Sequence, residues 1–383
     1  MPEFRFASES VTEGHPDKLC DRVSDAMLDA CLAQDADSRV MCDAVTKSGM
    51  VMILGEAVSK ASVNYEQVIR EAVKAVGCDS DEKGLDWRTM NVIVAIEDQG
   101  PDIAAALAGN RANDSVRVCM QGVVSGYATD EAADCMPLSH SLASQLCAQM
   151  DKLRKEGPLS WLRPDARVQV TVEYKDEADG AVVPVRVHCV AILYSHTQEV
   201  KADKAEKDLM EQVVKVVISE RLLDSNTQYQ LSARAQRSAS SDAGLSGRKA
   251  DADMYGGWGS GGGCTLSGRD GSTVARSAAY GARWAARSLV AARLCRRCTV
   301  QLSYTLGSAE VASIHVQSYG SSRAGGRSDA ELADILAQNF DFSLSGLKRD
   351  LGLKGSQFQR LSAHGHFGRA ELDLPWEKPK VLK

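Results

Sequence analysis

The sequence predicts a mixed α/β (α+β) protein of two or three domains, and three observations lead there. At 383 residues the chain is longer than one hydrophobic core ordinarily organises. Its apolar residues switch repeatedly between helical and strand spacing, so helices and strands interleave along the chain. Its composition, 44% hydrophobic and 25% charged, is that of a soluble globular protein with no apolar run long enough to span a bilayer.

The elements follow in order. Leu19, Val23, Met27, Ala30 and Cys31 recur at helical spacing, with Asp21, Arg22, Asp25 and Asp29 mostly on other faces. That pattern predicts a helix over 19–33 packed by one stripe. Residues 40–57 read as two strands about the turn Lys47-Ser48-Gly49, and 65–76 as a helix buried through Val68, Ile69, Ala72, Val73 and Val76. Residues 91–96 read as a short buried strand. Residues 97–118 are Gly-, Asp- and Asn-rich without a period, a loop length that usually serves function.

Val168, Val170 and Val172 alternate with Gln169, Thr171 and Glu173, which predicts a half-buried strand returning through 182–193 after a turn at 176–180. Leu209, Val213, Val216 and Val217 predict a helix. Residues 232–275 lose any strong period. A helix over 276–294, strands over 299–306 and 314–319, and a helix over 329–340 complete the series. No internal repeat is visible by self-similarity.

Eleven cysteines, an odd number without framework spacing, fit reduced thiols. Cys295 and Cys298 form a C-x-x-C without a second pair and are read as structural. The N-terminus lacks a secretory apolar core, so the expected location is cytoplasmic. A net charge of −6 argues against nucleic acid or an anionic membrane as a general partner.

One stretch concentrates chemistry: Gly14-His15-Pro16-Asp17-Lys18. On spacing alone it is foremost a helix start, with Pro16 at the first helical position and Asp17 near the positive end of the dipole. It would also suit an anion carrying a divalent cation. Asp17 would supply a hard oxygen ligand, and His15 and Lys18 would donate to phosphate.

That stretch, with Cys20-Asp21 and Ser24-Asp25-Ala26, resembles the opening signature of the methionine adenosyltransferases, also called S-adenosylmethionine synthetases. The likeness continues in the same order through Glu97-Asp98-Gln99-Gly100-Pro101-Asp102-Ile103, Gly126-Tyr127-Ala128-Thr129-Asp130-Glu131 and Trp161-Leu162-Arg163-Pro164-Asp165. Then come Asp242-Ala243-Gly244-Leu245-Ser246-Gly247-Arg248-Lys249, Tyr255-Gly256-Gly257-Trp258-Gly259, Arg276-Ser277-Ala278-Ala279-Tyr280 and Gly365-His366-Phe367-Gly368-Arg369. The resemblance implies three similar subdomains around a pseudo-threefold axis, here 10–115, 120–232 and 240–383, with residues 97–118 gating the site.

It also implies a reaction: methionine sulfur attacks the 5′ carbon of ATP and expels triphosphate, which is then hydrolysed. The implied catalytic residues are His15, Arg248, Lys249 and Arg269, and the implied substrate-binding residues Glu56, Gln99, Asp165, Arg167 and Asp242. Asp17 would ligate Mg2+, and Asp43 stands where the family usually has a glutamate at its K+ site. The implied partners are ATP, L-methionine and further copies in a homodimer or tetramer, or an intact paralogue in a hetero-oligomer.

The departures cluster. Met120 replaces a substrate-facing carboxylate, and Ala235 lies in a shortened adenine loop without its stacking Phe. Gly261 replaces a His, and Arg269 and Thr273 replace two phosphate-facing Lys residues. Ala275 replaces a Mg2+ carboxylate, for which Asp270 is the nearest substitute. In the family each site lies between two subunits; His15, Asp17, Asp242, Arg248 and Lys249 match one contributor, while Met120, Arg269, Thr273 and Ala275 match the facing one. Three readings follow: an enzyme that tolerates the changes, a half-catalytic partner of an intact synthetase, and an ATP-binding sensor or scaffold.

Overall fold

The computed structural model describes residues 3–97, 118, 120–234, 242–263, 265–322 and 326–383. Its order is a cyclic repeat. The first unit runs β1 (Glu3–Val11), α1 (Pro16–Gln34), the hairpin β2 (Arg39–Lys47) and β3 (Met50–Val58), α2 (Tyr65–Val76), a small β4 (Asp79–Ser80) and β5 (Leu85–Asp86) pair, and β6 (Asn91–Glu97). The second runs β7 (Gly122–Thr129), α3 (Leu138–Glu156), the hairpin β8 (Leu162–Asp176) and β9 (Val182–His196), α4 (Ala202–Leu209) and β10 (Gln228–Arg234). The third runs β11 (Gly244–Leu245), α5 (Ala279–Ala291), β12 (Arg297–Tyr304), β13 (Ser313–Gln317) and α6 (Asp329–Asn339).

Each unit gives its first strand away. β1 joins the second unit's sheet in the order β1-β8-β9-β10, β7 joins the third in β13-β12-β7, and β11 joins the first in β11-β2-β3-β6. All three donated strands run antiparallel to the first hairpin strand they meet, and β6 and β10 close their sheets in parallel. This closed exchange is the topology of three similar units about one axis, and it buries residues from distant segments in one core.

Local chemistry sets the ends of these elements. Ser48 and Gly49 take φ of 36° and 77°, the left-handed pair that a two-residue hairpin turn requires. Asn64 caps α2 by accepting the Gln67 N–H at 3.2 Å, and Gly77 ends it in the left-handed region. No helix among the described residues is long and apolar enough to cross a membrane.

Three expectations need correction. The first concerns α1, which is buried on a second stripe besides the apolar one. Asp17, Asp21, Asp25 and Asp29 recur every four residues, and all but the first accept backbone N–H groups from the C-terminal part of the chain, beyond residue 240. Gly247 donates to Asp21 at 2.8 Å, Gly268 to Asp25 at 2.8 Å, and Phe358 and Gln359 to Asp29 at 3.0 and 2.9 Å. The second is β6, which lies at a sheet edge with Ile93 and Val94 each more than two-fifths exposed. Val92 and Ile96 pack against the core, while Ile93 and Val94, successive residues on opposite faces, stay uncovered. The third is Val216, which is exposed. A π-helical turn over Met210–Val214 adds a residue to the repeat, so burial passes from Leu209 through Val213 and Val214 to Ile218.

Candidate active site

The site is built where β11 lies against the first turn of α1. A Cβ on Gly244 would fall 2.2 Å from the Pro16 carbonyl oxygen, so only glycine lets these backbones approach this closely. That approach carries the following turn, with Arg248 and Lys249, over Asp17. His15 caps α1 with Nδ1 accepting the Asp17 N–H at 3.2 Å, which puts the neutral ring's proton on Nε2.

Arg248 Nη1 lies 3.7 Å from Asp17 Oδ1, and Lys249 Nζ lies 3.8 Å from Asp17 Oδ2 and 3.4 Å from Glu9 Oε1 of β1. On the β8 side Arg167 Nη2 donates to Asp242 Oδ2 at 3.2 Å. Burial pushes the Asp17 carboxyl up, while Arg248, Lys249 and Arg167 pull against that shift. Asp17 Oδ1 is buried without a hydrogen-bond partner, and Asp17 is the one acid of the stripe that accepts no backbone N–H from the segments docked on it. A 410 Å³ cavity lined by Glu9, Gln169, Arg248, Lys249 and Asp251 opens beside the cluster. Chemically this is a cationic clamp around one under-coordinated acid, the arrangement that suits a polyphosphate with its divalent ion.

The structure thus gathers Asp17, Arg248, Lys249, Arg167 and Asp242, with His15 at the same helix start. Asp165 is buried in β8, two residues before Arg167. Glu56 stands in β3 opposite Met41 and beside Glu97, and no hydrogen bond or ion pair among the described residues joins it to the Asp17 group. Gln99 and Ala235 lie outside the described residues, as does most of the expected gate.

Lys18, expected as a phosphate donor, is turned inward. It is fully buried, with its ammonium donating to Asp21 at 3.0 Å and to Asp253, so it holds the fold rather than a ligand. Arg269 does not reach toward the Asp17 cluster either. Its Nη1 donates to the Cys42 carbonyl at 2.7 Å and its Nη2 to Asp43 Oδ2 at 2.9 Å, holding the guanidinium on β2. Asp270 is no substitute cation ligand, because Oδ2 accepts the Val40 N–H at 2.8 Å and Oδ1 the Ser272 N–H at 2.6 Å. Thr273 is consumed as a cap, accepting the Arg276 N–H and donating to the Asp270 carbonyl. Ala275 is buried, and Met120 stands at the surface.

Two supports escaped the sequence reading. Glu9, which no sequence pattern singles out, holds Lys249, and Gln169 lines the cavity. The every-fourth-residue acids of α1 were the visible signal for the docking stripe.

For the implied metals, the donor sets differ. No three His, Cys, Asp or Glu side chains converge among the described residues. Mg2+ usually takes one or two carboxylates plus phosphate oxygens, and the unpartnered Asp17 Oδ1 fits that pattern. Asp43 does not fit K+: its Oδ1 is buried without a hydrogen-bond partner, but the Arg269 guanidinium on Oδ2 sets a like charge beside any ion brought to it.

Models of three domains of one protein family match consecutive parts of the chain. The model of the S-adenosylmethionine synthetase N-terminal domain matches residues 3–101, that of the central domain residues 116–236, and that of the C-terminal domain residues 237–378.

Proposed function

The chain belongs to the S-adenosylmethionine synthetase family, and from that premise we propose that it serves S-adenosylmethionine synthesis from ATP and L-methionine by supplying the triphosphate wall of the site. The observation that carries this is the placement of Arg248 and Lys249 at 3.7 and 3.8 Å from the buried Asp17. Those cations hold the phosphates, and Arg248, half-exposed, has room to swing onto them. His15 presents its Nε2 proton to the oxygen leaving the 5′ carbon. Arg167 and Asp242 position substrate at the rim, and Glu56, Gln99 and Asp165 complete the methionine side. Asp17 is the residue that would hold Mg2+, which when bound neutralises charge on the departing triphosphate. Potassium, the family's second ion, finds a guanidinium already seated at Asp43.

A second reading has its own support: this chain is one half of a working site whose other half comes from an intact paralogue. The residues matching the facing wall are spent internally, Arg269 on Asp43 and Thr273 on its cap, while Ala275 offers no ligand. Removing one preorganised charge contact typically costs about 100- to 1000-fold in rate, and several are missing together. Association itself is supported by uncovered sheet residues: Leu54, Ile93, Val94, Val123, Leu193 and Leu245 are each at least a third exposed. A dimer face there suits either a second copy or a paralogue.

The test is turnover. The purified chain with ATP, Mg2+ and methionine is assayed for S-adenosylmethionine and phosphate, alone and co-expressed with an intact synthetase. Product from the chain alone upholds the first reading; product only from the heterodimer, beyond that of residual intact homodimer, upholds the second. ATP binding without product in either assembly would leave a nucleotide sensor and overturn both.

A further inference from the structure

The two departures at Asp43 and Arg269 look unrelated in sequence, lying 226 residues apart. In space they are one feature. An aspartate stands where the family has the longer glutamate, and an arginine where it has lysine. The shortened acid and the forked base meet at 2.9 Å. The backbone fixes the meeting, because Met41 and Arg269 form an isolated antiparallel bridge, the Cys42 N–H donates to the Gly268 carbonyl at 3.0 Å, and Arg276 Nε donates to the Arg269 carbonyl at 3.0 Å. Arg269 is therefore positioned from both neighbours, and its side chain is mostly buried.

The oxygens it holds are the informative part. One nitrogen takes a backbone carbonyl, Cys42 O, and another takes a carboxylate, Asp43 Oδ2. Carbonyl and carboxylate oxygens are what a weakly hydrated monovalent cation collects when it sheds water. A guanidinium carries the same single positive charge, is itself weakly hydrated, and binds planar oxygen pairs well. It is also tethered, so no free concentration is needed to fill the position. A second cation brought to Asp43 would meet a like charge at contact distance.

Members of this family generally depend on K+ as well as Mg2+. We infer that the Arg269 guanidinium acts as a built-in monovalent cation at Asp43, so that this chain takes up no potassium ion there. The family assignment says where the ion belongs; nothing in the inference requires the chain to turn over, so its test reads ion binding and stability rather than product.

The probe is Tl+, which has the charge and nearly the size of K+. 205Tl NMR is recorded on the whole chain in N-methylglucamine buffer, with K+ added as competitor, and thermal midpoints are compared at constant ionic strength. The wild-type chain is expected to give no saturable Tl+ signal that K+ displaces, and a midpoint unchanged within about 1 °C between the two cations. Arg269→Gln, which frees the carboxylate, is expected to gain such a signal and a K+-specific rise of about 2 °C or more. Asp43→Asn combined with Arg269→Gln is expected to lose it again. A saturable, K+-displaceable signal in the wild-type chain overturns the inference. So does a folded Arg269→Gln chain, verified by circular dichroism, that ignores K+. Should that variant not fold, Arg269→Lys, which removes the fork and restores the base that K+-dependent members carry, is expected to gain the K+ response, and a folded Arg269→Lys chain that ignores K+ overturns the inference equally.

Discussion

Arg276 and Asp25 form an ion pair in which neither side chain has any exposed surface. Asp25 also accepts the Gly268 N–H, and Arg276 donates to the Tyr280 hydroxyl at 2.8 Å and to the Arg269 carbonyl at 3.0 Å. This pair locks the start of α5 onto α1, and it fixes the segment that presents Arg269.

Breaking it from one side strands a buried carboxylate. Arg276→Met is expected to lose about 3–5 kcal/mol in urea unfolding, whereas joining it to Asp25→Leu is expected to recover a large part. If the single variant loses less than about 1 kcal/mol, the pair does not hold the two units together.

Lys249 and Arg248 have the opposite character: they sit at the rim, and their removal is expected to leave stability nearly unchanged. Lys249→Met and Arg248→Met are each expected to weaken binding of a non-hydrolysable ATP analogue about tenfold by calorimetry, with a shallower salt dependence. In any assembly that turns over, each is expected to lower the rate about 100- to 1000-fold. Unaltered nucleotide binding in both would remove the triphosphate wall from this site.

Gly126 tests the packing under the third sheet. A Cβ there would lie 2.1 Å from the backbone of Ala282 in α5, and backbone cannot step aside as a flexible side chain can. Gly126→Ala is expected to cost about 1–3 kcal/mol or to prevent folding, in contrast to Gly355→Ala, whose added Cβ meets nothing within 4 Å and whose φ lies outside the left-handed region. Equal losses in the two variants would mean that the close approach to Ala282 carries no cost of its own.

Such positions mark the limit of what the chain discloses in one dimension. The helix at 65–76 and the hairpin about Ser48-Gly49 were legible because their causes are local: an apolar stripe, a cap and a two-residue turn. The cyclic strand exchange was not, because β11 is two residues long and pairs some two hundred positions away. Lys18 was misread for a related reason. A cation's chemistry says what it can bind, but only the fold says whether a buried acid such as Asp253 reaches it first.

Asp29 gives the pH dependence. Burial raises its carboxyl from the ordinary 3.8 to about 6, against the pull of the Gln359 and Phe358 N–H groups that it accepts. A carboxyl raised in the folded state binds its proton more tightly there than in the unfolded chain. It therefore supports folding fully at acid pH, and that support fades as pH climbs from about 3.8 through about 6. Asparagine keeps an acceptor for one N–H group and has no charge to bury. Asp29→Asn is accordingly expected to be less stable than the parent at pH 4 and to gain on it by pH 8, the difference moving by at most about 3 kcal/mol. Denaturant unfolding at both pH values checks this. A difference that stays constant would mean that Asp29 carries the same charge folded and unfolded, and that its two N–H contacts offset its burial completely.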